Sequence, residues 1–310
     1  MIYTITLNPA VDRELVVPAI EFDSVLRAID WNVDYGGKGF NVSRLLVSLG
    51  TPSIAVGFAG GRSGELLRDG LHSLGIQTDF VWVEGETRTN VSIVSQSENR
   101  YVKANEPGPK ISTESQQKLL DKVRELAQLG DWWVLAGSLP PGVSDTIYAQ
   151  IIQILNAKGA KAILDASGPA LLHGCKAGPY LVKPNSFEAH QLTGLPVDNL
   201  EQVIEAANAI LKMGPAHIVV SMGKDGALLI EDGKAKIAKS PKIEERNPIG
   251  AGDSMVGGLV WGLQQDLPLN EALRWGIACG AATASLTGTA VGSRPMVEAL
   301  FAQVAVVPAA

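Results

Sequence analysis

Short runs of β-branched and aromatic residues recur along the chain: "MIYTITL" at 1–7, "SIAVGFA" at 53–59, "WWVLAG" at 132–137, "KAILDA" at 161–166, "YLVKPN" at 180–185 and "HIVVSMG" at 217–223. Between them lie stretches such as "TESQQKLLDKVRELAQLG" (113–130) and "LEQVIEAANAILKMG" (200–214), with apolar residues at three- and four-residue spacing and a glycine at the end. Strands that alternate with amphipathic helices pair in parallel, because each return to the sheet edge needs a crossover. The pattern predicts an α/β chain with a mostly parallel sheet.

Two segments break this rhythm, residues 12–35 with "ELVVP" and "VLRAIDWNVD", and residues 86–104 with "ETRTNVSIVSQSENRYVK". Their polar and apolar residues alternate as in half-exposed antiparallel strands. They are expected to pair into a small sheet standing off the main layers, with an apolar face that closes over a site, dimerises, or does both. No linker rich in Pro, Gly or Ser divides the chain, so residues 1–310 are expected to form a single domain with this sheet as an appendage.

Charge and cysteine usage exclude several functions. The formal net charge of -6 argues against a broad nucleic-acid face, which needs clustered Lys and Arg. No apolar run is long enough to span a bilayer, and "MIYTITLNPAVDRE" lacks the pattern of a signal peptide, so a cytoplasmic location is expected, with no membrane partner. Cys175 and Cys279 are far apart and outside any CxxC spacing, which gives no zinc or redox signature.

Four places carry candidate chemistry. In "NPIGAGDSMVGG" (247–258), Gly250 and Gly252 are followed by Met255 where a dinucleotide fingerprint needs its third glycine, and "KIEERNP" before them is no buried strand. These glycines instead open a helix, whose unpaired amides and positive dipole end seat an anion. Asp253 there is either a first-turn acid or a catalytic group. In "YGGKGFNVSRLLVSLG" (35–50), a glycine turn before a helix brings backbone amides, Lys38 and Asn41 together, suited to an anion or to a plain turn. In "KPNSFE" (183–188), Asn185 and Glu188 are spaced either for a capping box or for Mg²⁺ held partly through water. In "SMGKDGALLIEDGKAKI" (221–237), Ser221, Gly223 and Gly226 form a turn before a hairpin that can admit a nucleotide phosphate.

Together with "LNPAVD" (7–12) and "AGSLPPG" (136–142), and in this order, these stretches resemble the PfkB family of sugar kinases over nearly the full length. "GGKGFNVSRLLVSLG" resembles the family's first signature and "NPIGAGDSMVGGL" its second. "TLNPAVD", "GGKGFNV", "GETR" (85–88) and "GAGDSM" are most similar to the phosphosugar branch of 1-phosphofructokinase, tagatose-6-phosphate kinase and the minor 6-phosphofructokinase.

That resemblance implies a ribokinase-like three-layer α/β/α sandwich with a small β-sheet lid. It implies ATP and Mg²⁺, and phosphorylation of a ketohexose monophosphate, with fructose 1-phosphate the first expectation. Competing expectations are tagatose 6-phosphate or fructose 6-phosphate as substrate, or a non-catalytic sensor on the same fold, which would dispense with Asp253 or the glycine triplet. Carried over by position, Asp253 would be the general base and Gly250, Ala251 and Gly252 the anion hole. Asp12, Asn41 and Gly37 would meet the sugar. Lys38, Arg27, Arg88, Asn90 and Ser138 would meet its phosphate. Asn185 and Glu188 would organise Mg²⁺, while Lys183, Asn185, Ser221, Gly223 and Gly226 would contact the nucleotide, with residues 276–288 as an adenine wall. The lid sheet would form a homodimer. Val25 and Phe187 stand where the minor 6-phosphofructokinase carries lysines, which weighs against fructose 6-phosphate.

Overall fold

In the computed structural model residues 1–98, 100–231 and 233–309 are described, so Asn99 in the lid span, Asp232 in the expected hairpin, and Ala310 lie outside the described residues. The strands in chain order are β1 (Ile2–Thr6), β2 (Ala10–Val17), β3 (Asp30–Gly36), β4 (Ile54–Ala59), β5 (Gln77–Trp82), β6 (Arg88–Ser95) and β7 (Tyr101–Asn105). They continue with β8 (Trp132–Ala136), β9 (Lys161–Asp165), β10 (Leu181–Val182), β11 (His217–Ser221), β12 (Ala227–Glu231), β13 (Lys234–Ala238) and β14 (Val306–Pro308). The helices are α1 (Lys38–Ser48), α2 (Gly61–Ser73), α3 (Thr113–Leu126), α4 (Ile147–Ala157), α5 (Gly168–Lys176), α6 (Ser186–Thr193), α7 (Leu200–Leu211), α8 (Ala251–Gln264), α9 (Leu269–Ala284) and α10 (Arg294–Phe301).

Ten strands form one sheet in the order β14-β13-β12-β11-β10-β9-β8-β1-β4-β5. From β5 to β11 every neighbour pairs in parallel, and β12, β13 and β14 extend the sheet antiparallel. The expected α/β class and all six strand runs are thus present. Side-chain alternation on these strands feeds two cores. Tyr3, Ile5, Trp133 and Leu135 face α3, α4, α5 and α7, whereas Ile2, Trp132, Val134 and Ile163 face α1, α8, α9 and α10. Three layers result, and each fully buried Leu or Ile in them contributes on the order of 1.5–3 kcal/mol.

Helix α8 carries Gly257, Gly258 and Gly262, residues that weaken an isolated helix. Close packing explains them, Gly257 against Leu45 of α1 and Gly258 and Gly262 against α9: a Cβ on Gly258 would lie 2.6 Å from Cys279 Sγ and 2.7 Å from the Trp275 carbonyl oxygen. α8 and α9 approach closely because side chains are missing at Gly258 and Gly262.

The second sheet has the order β3-β2-β6-β7. Its strands match the expected lid segments, but not the expected directions: β2 pairs with β6 in parallel, while β2–β3 and β6–β7 are antiparallel. The reason is connectivity. β2–β3 and β6–β7 are linked locally, but the chain from β3 to β6 passes through α1, β4, α2 and β5 and so re-enters the lid in the same sense as β2. Val11, Val33 and Tyr35 on the covered face pack on Phe40, Leu67, Leu71 and Phe80. Phe22, Val25, Trp31 and Tyr101 of the lid stay exposed.

Helix α3 stops at Leu126, short of the expected Gly130, because Ala127 turns extended and the Asp131 carboxylate accepts the Gln128 N–H. Helix α9 likewise ends at Ala284, so residues 285–288 of the expected adenine wall are not helical.

Candidate active site

The carboxyl ends of parallel strands leave room for ligands beside the helices that follow them. Asp165 is the last residue of β9, and Lys183 follows β10, aligned by its N–H, which donates to the Leu164 carbonyl at 3.0 Å. Lys38 is the first residue of α1, and Asp253 stands in the first turn of α8. Sheet register and two helix starts therefore bring four charges to one place.

Asp165 is 1% exposed, and its two oxygens are divided between lysines: Oδ1 accepts from Lys38 Nζ at 3.0 Å, and Oδ2 faces Lys183 Nζ at 3.3 Å. Burial pushes its carboxyl up, but Lys183 and Lys38 outweigh that and hold it below the ordinary aspartate value. For Lys38, burial pulls the ammonium down, while Asp165 and Asp253 more than restore it, so it stays charged. Lys183 is buried, and its ammonium lies 3.9 Å from where a Cβ on Gly252 would be, beside the α8 N-terminus.

Asp253 is 8% exposed, and its Oδ2 accepts from Asn41 Nδ2 at 2.8 Å. Burial and then the charge of Asp165 raise its pKa from 3.8 to about 6, against the Asn41 hydrogen bond and the two lysines, which lower it. An acid poised there is ionised at neutral pH yet can hold a proton, as a general base must.

The α8 N-terminus has Gly250 as its N-cap, at φ 79°, and no side chain caps it. The Ala251 N–H donates to the Pro248 carbonyl at 3.2 Å, whereas the Gly250 and Gly252 amides have no acceptor among the described residues. Of the three expected anion-hole amides, two are thus open. Gly37 caps α1 at φ 144°, also without a side-chain cap.

On the lid side, Asp12 and Asn90 face each other across the β2–β6 register, with Asn90 Nδ2 donating to Asp12 Oδ1 at 2.7 Å. The other Asp12 oxygen would overlap a Cβ on Gly36, so any side chain there would push Asp12 out of place. Asn90 Oδ1 and Asn8 Oδ1 are buried acceptors with no partner among the described residues. Arg88 is held by main-chain carbonyls, donating to Asn8 at 2.9 and 3.2 Å and to Glu106 at 3.3 Å. Arg27 is exposed in the loop between β2 and β3, and Ser138 is exposed just after β8. Neither has a polar partner among the described residues, so the structure does not tie them to the cluster.

Asn185 and Glu188 form a capping box at the start of α6: Asn185 Oδ1 accepts the Glu188 N–H at 2.8 Å, and Glu188 Oε2 accepts the Asn185 N–H at 2.9 Å. Glu188 Oε1 is left over, a single hard oxygen. Among the described residues no three His, Cys, Asp or Glu side chains gather as a metal cage. The free Glu188 oxygen is the donor that fits Mg²⁺, an ion that keeps several waters and takes one or two carboxylates beside substrate phosphates. Asn185, Ser221 and Gly223 also line a cleft of about 810 Å³ with Met222, Lys224 and Lys239, and Asp253 is not part of its wall. The Gly226 turn must be glycine, since a Cβ there would overlap the Ala238 carbonyl oxygen.

Asp165 was not among the expected site residues. The available signal was an acid ending an apolar strand of a parallel sheet, where a side chain reaches the ligand edge.

Residues 3–295 match the family described as pfkB family carbohydrate kinase. The chain is 37% identical over 307 residues to the 1-phosphofructokinase of Bacillus subtilis, covering 99% of each chain. It is 36% identical over 289 residues to the D-tagatose-1-phosphate kinase of Bacillus licheniformis, covering 93% of this chain and 94% of that one. The crystal structure of phosphofructokinase-2 from Escherichia coli in complex with potassium superposes with a TM-score of 0.92 at 31% identity, covering 97% of this chain and 98% of that one.

Proposed function

The chain belongs to the pfkB family of carbohydrate kinases, is a phosphotransferase acting on a sugar-phosphate alcohol, and has the ribokinase-like fold; on that premise we propose that it transfers the γ-phosphoryl group of ATP to the C6 hydroxyl of fructose 1-phosphate. The observation that carries this reading is the buried Asp253 carboxylate at an uncapped helix N-terminus, hydrogen-bonded to Asn41 and flanked by Lys38 and Lys183.

Asp253 accepts the proton of the sugar hydroxyl as its oxygen attacks the γ-phosphorus, and the bond from that phosphorus to the β-phosphate bridging oxygen breaks, with ADP taking the electron pair. The Gly250 and Gly252 amides stabilise charge on the transferring oxygens, with Ala251 joining them once its amide leaves Pro248. Lys183 neutralises the nucleotide side beside Gly252. Asp12, Asn41 and Asn90 orient the sugar hydroxyls, and Gly37 lets the sugar approach the backbone. The unpartnered Asn90 and Asn8 oxygens are acceptors for its hydroxyl hydrogens. Lys38, Arg88, Arg27 and Ser138 take the substrate phosphate, Arg27 by closure of its loop.

Asn185 and Glu188 would hold Mg²⁺, with the Glu188 oxygen left free by the capping box as the candidate ligand, and a bound ion would supply charge to offset the phosphates. Ser221, Gly223 and Gly226 present the backbone to the nucleotide, with residues 276–284 as its adenine wall. Residues 1–310 work as one kinase unit in the cytoplasm, with the lid excluding water and pairing two copies through its exposed Phe22, Val25, Trp31 and Tyr101. Among the described residues no helix is long and apolar enough to cross a membrane.

The relatives' names favour a phosphate on C1, and tagatose 1-phosphate is the second candidate for the same pocket. ADP release coupled to NADH oxidation, with Mg-ATP and fructose 1-phosphate, tagatose 1-phosphate, tagatose 6-phosphate, fructose 6-phosphate or fructose, tests the reading. The expected order puts a ketohexose 1-phosphate first in kcat/KM. Binding of phosphosugars without turnover of any would refute it in favour of a sensor.

A further inference from the structure

We infer that Asp165 is a positioning residue that spaces the two ammonium groups of the site, holding Lys38 on the phosphosugar side and Lys183 on the nucleotide side through separate oxygens of one carboxylate. The inference rests on the kinase reading above and adds a residue that reading does not use.

Asp165 is at the end of β9, in register with Ala136 on β8, and its carbonyl accepts the Gly137 N–H at 3.1 Å. Its backbone is therefore part of the sheet, and its side chain has almost no freedom at 1% exposure. The lysines come from elsewhere, Lys38 from the first residue of α1 and Lys183 from the segment after β10. Long flexible ammonium side chains lose precision unless something rigid holds them.

Charge balance separates this role from plain stabilisation. One anion here meets two cations, and a buried ion cluster adds little stability over apolar packing. With Asp253 the site holds two acids and two lysines, so the cluster is balanced and the lysine N–H donors that Asp165 leaves over can turn to incoming phosphates. The Lys38 side chain is 41% exposed and that of Lys183 only 6%, so the carboxylate anchors one lysine at the open edge and the other in the interior beside Gly252. Without Asp165 the two ammonium groups would repel, and each would lose its angle to its own phosphate.

The test uses the full-length protein, Mg-ATP and fructose 1-phosphate, with wild type, Asp165→Asn, Lys38→Met and the Asp165→Asn/Lys38→Met double variant assayed side by side. Asp165→Asn is expected to raise both KM values by about tenfold, the scale of removing one charge-assisted hydrogen bond from each substrate. The double variant removes one charge of each sign, which keeps the cluster balanced if the single variant folds poorly. Compared with Lys38→Met, it should leave the phosphosugar KM within about twofold, its lysine being already gone, and raise the ATP KM about tenfold through Lys183. An Asp165→Asn enzyme with either KM at the wild-type value overturns the assignment. So does one that only needs more Mg²⁺, or a double variant whose phosphosugar KM climbs tenfold again. A wild type with no turnover on any phosphosugar defeats the kinase reading itself, whereas an active wild type beside any of those variant results defeats only Asp165.

Discussion

Replacing Asp253 by Asn removes the proposed base and, at the same time, a costly buried charge. Burial and the neighbouring Asp165 lift its pKa from 3.8 to about 6. At roughly 1.4 kcal/mol per pKa unit, keeping it ionised in the folded state costs about 3 kcal/mol. The folded carboxyl binds its proton more tightly than the unfolded one, so between about pH 4 and 6 the folded state carries a proton that the unfolded state lacks. Stability therefore falls as pH rises through that window, and the full cost is present above it. Asn has no such slope, and its side-chain oxygen can still accept from Asn41. The variant should be more stable than wild type by about 3 kcal/mol at pH 8 and by about half of that at pH 5. For a chain of this size the pH 8 gap corresponds to roughly 5 °C or more in Tm, measured by differential scanning fluorimetry. Its kcat should fall ~10²-fold or more, with little change in KM. A Tm gap that is equal at both pH values, or of opposite sign, would refute the buried-charge argument. An unchanged kcat would refute Asp253 as the base.

Other changes probe separate parts of the account. Asn41→Leu removes the hydrogen bond that lowers the Asp253 pKa, so the acidic limb of the kcat/KM profile should move to higher pH, by on the order of one unit; a limb that stays near pH 6 counts against it. Gly36→Ala drives a methyl into Asp12 Oδ2, which should raise the phosphosugar KM about tenfold or more and spare the ATP KM; steady-state kinetics with each substrate varied would read this. Gly258→Ala drives a methyl into Cys279 and the Trp275 carbonyl and should cost about 1–3 kcal/mol in urea denaturation, more than the helix propensity of alanine returns.

Much of the scaffold was readable because its signals are local. Alternating runs such as "WWVLAG" and "HIVVSMG" carry enough β-branched and aromatic residues to declare a strand, and "GAGDSM" declares a helix start. Edge strands were harder: "QTDFVW" of β5 mixes polar and apolar residues without a clean period, and β14 spans only Val306–Pro308. The direction of β6 beside β2 was hidden because it depends on the route through α1, β4, α2 and β5, not on either strand. In the site, Asp253, Lys38 and Asn41 announced themselves through glycine-bounded helix starts. Asp165 did not, since its partners lie on α1 and after β10, and a lone acid in "KAILDA" looks like the end of a strand. Asn185 and Glu188 show the opposite case, in which both chemistries read from their spacing remain compatible with the observed capping box.

The central claim is that this site moves a phosphoryl group onto a ketohexose 1-phosphate. ³¹P NMR of the enzyme with Mg-ATP and fructose 1-phosphate tests it directly by identifying the product. The account predicts equal growth of ADP and of a second sugar phosphate resonance on C6, with the C1 phosphate retained. ADP growing with inorganic phosphate instead, or no change while fructose 6-phosphate is consumed in a parallel tube, would contradict it.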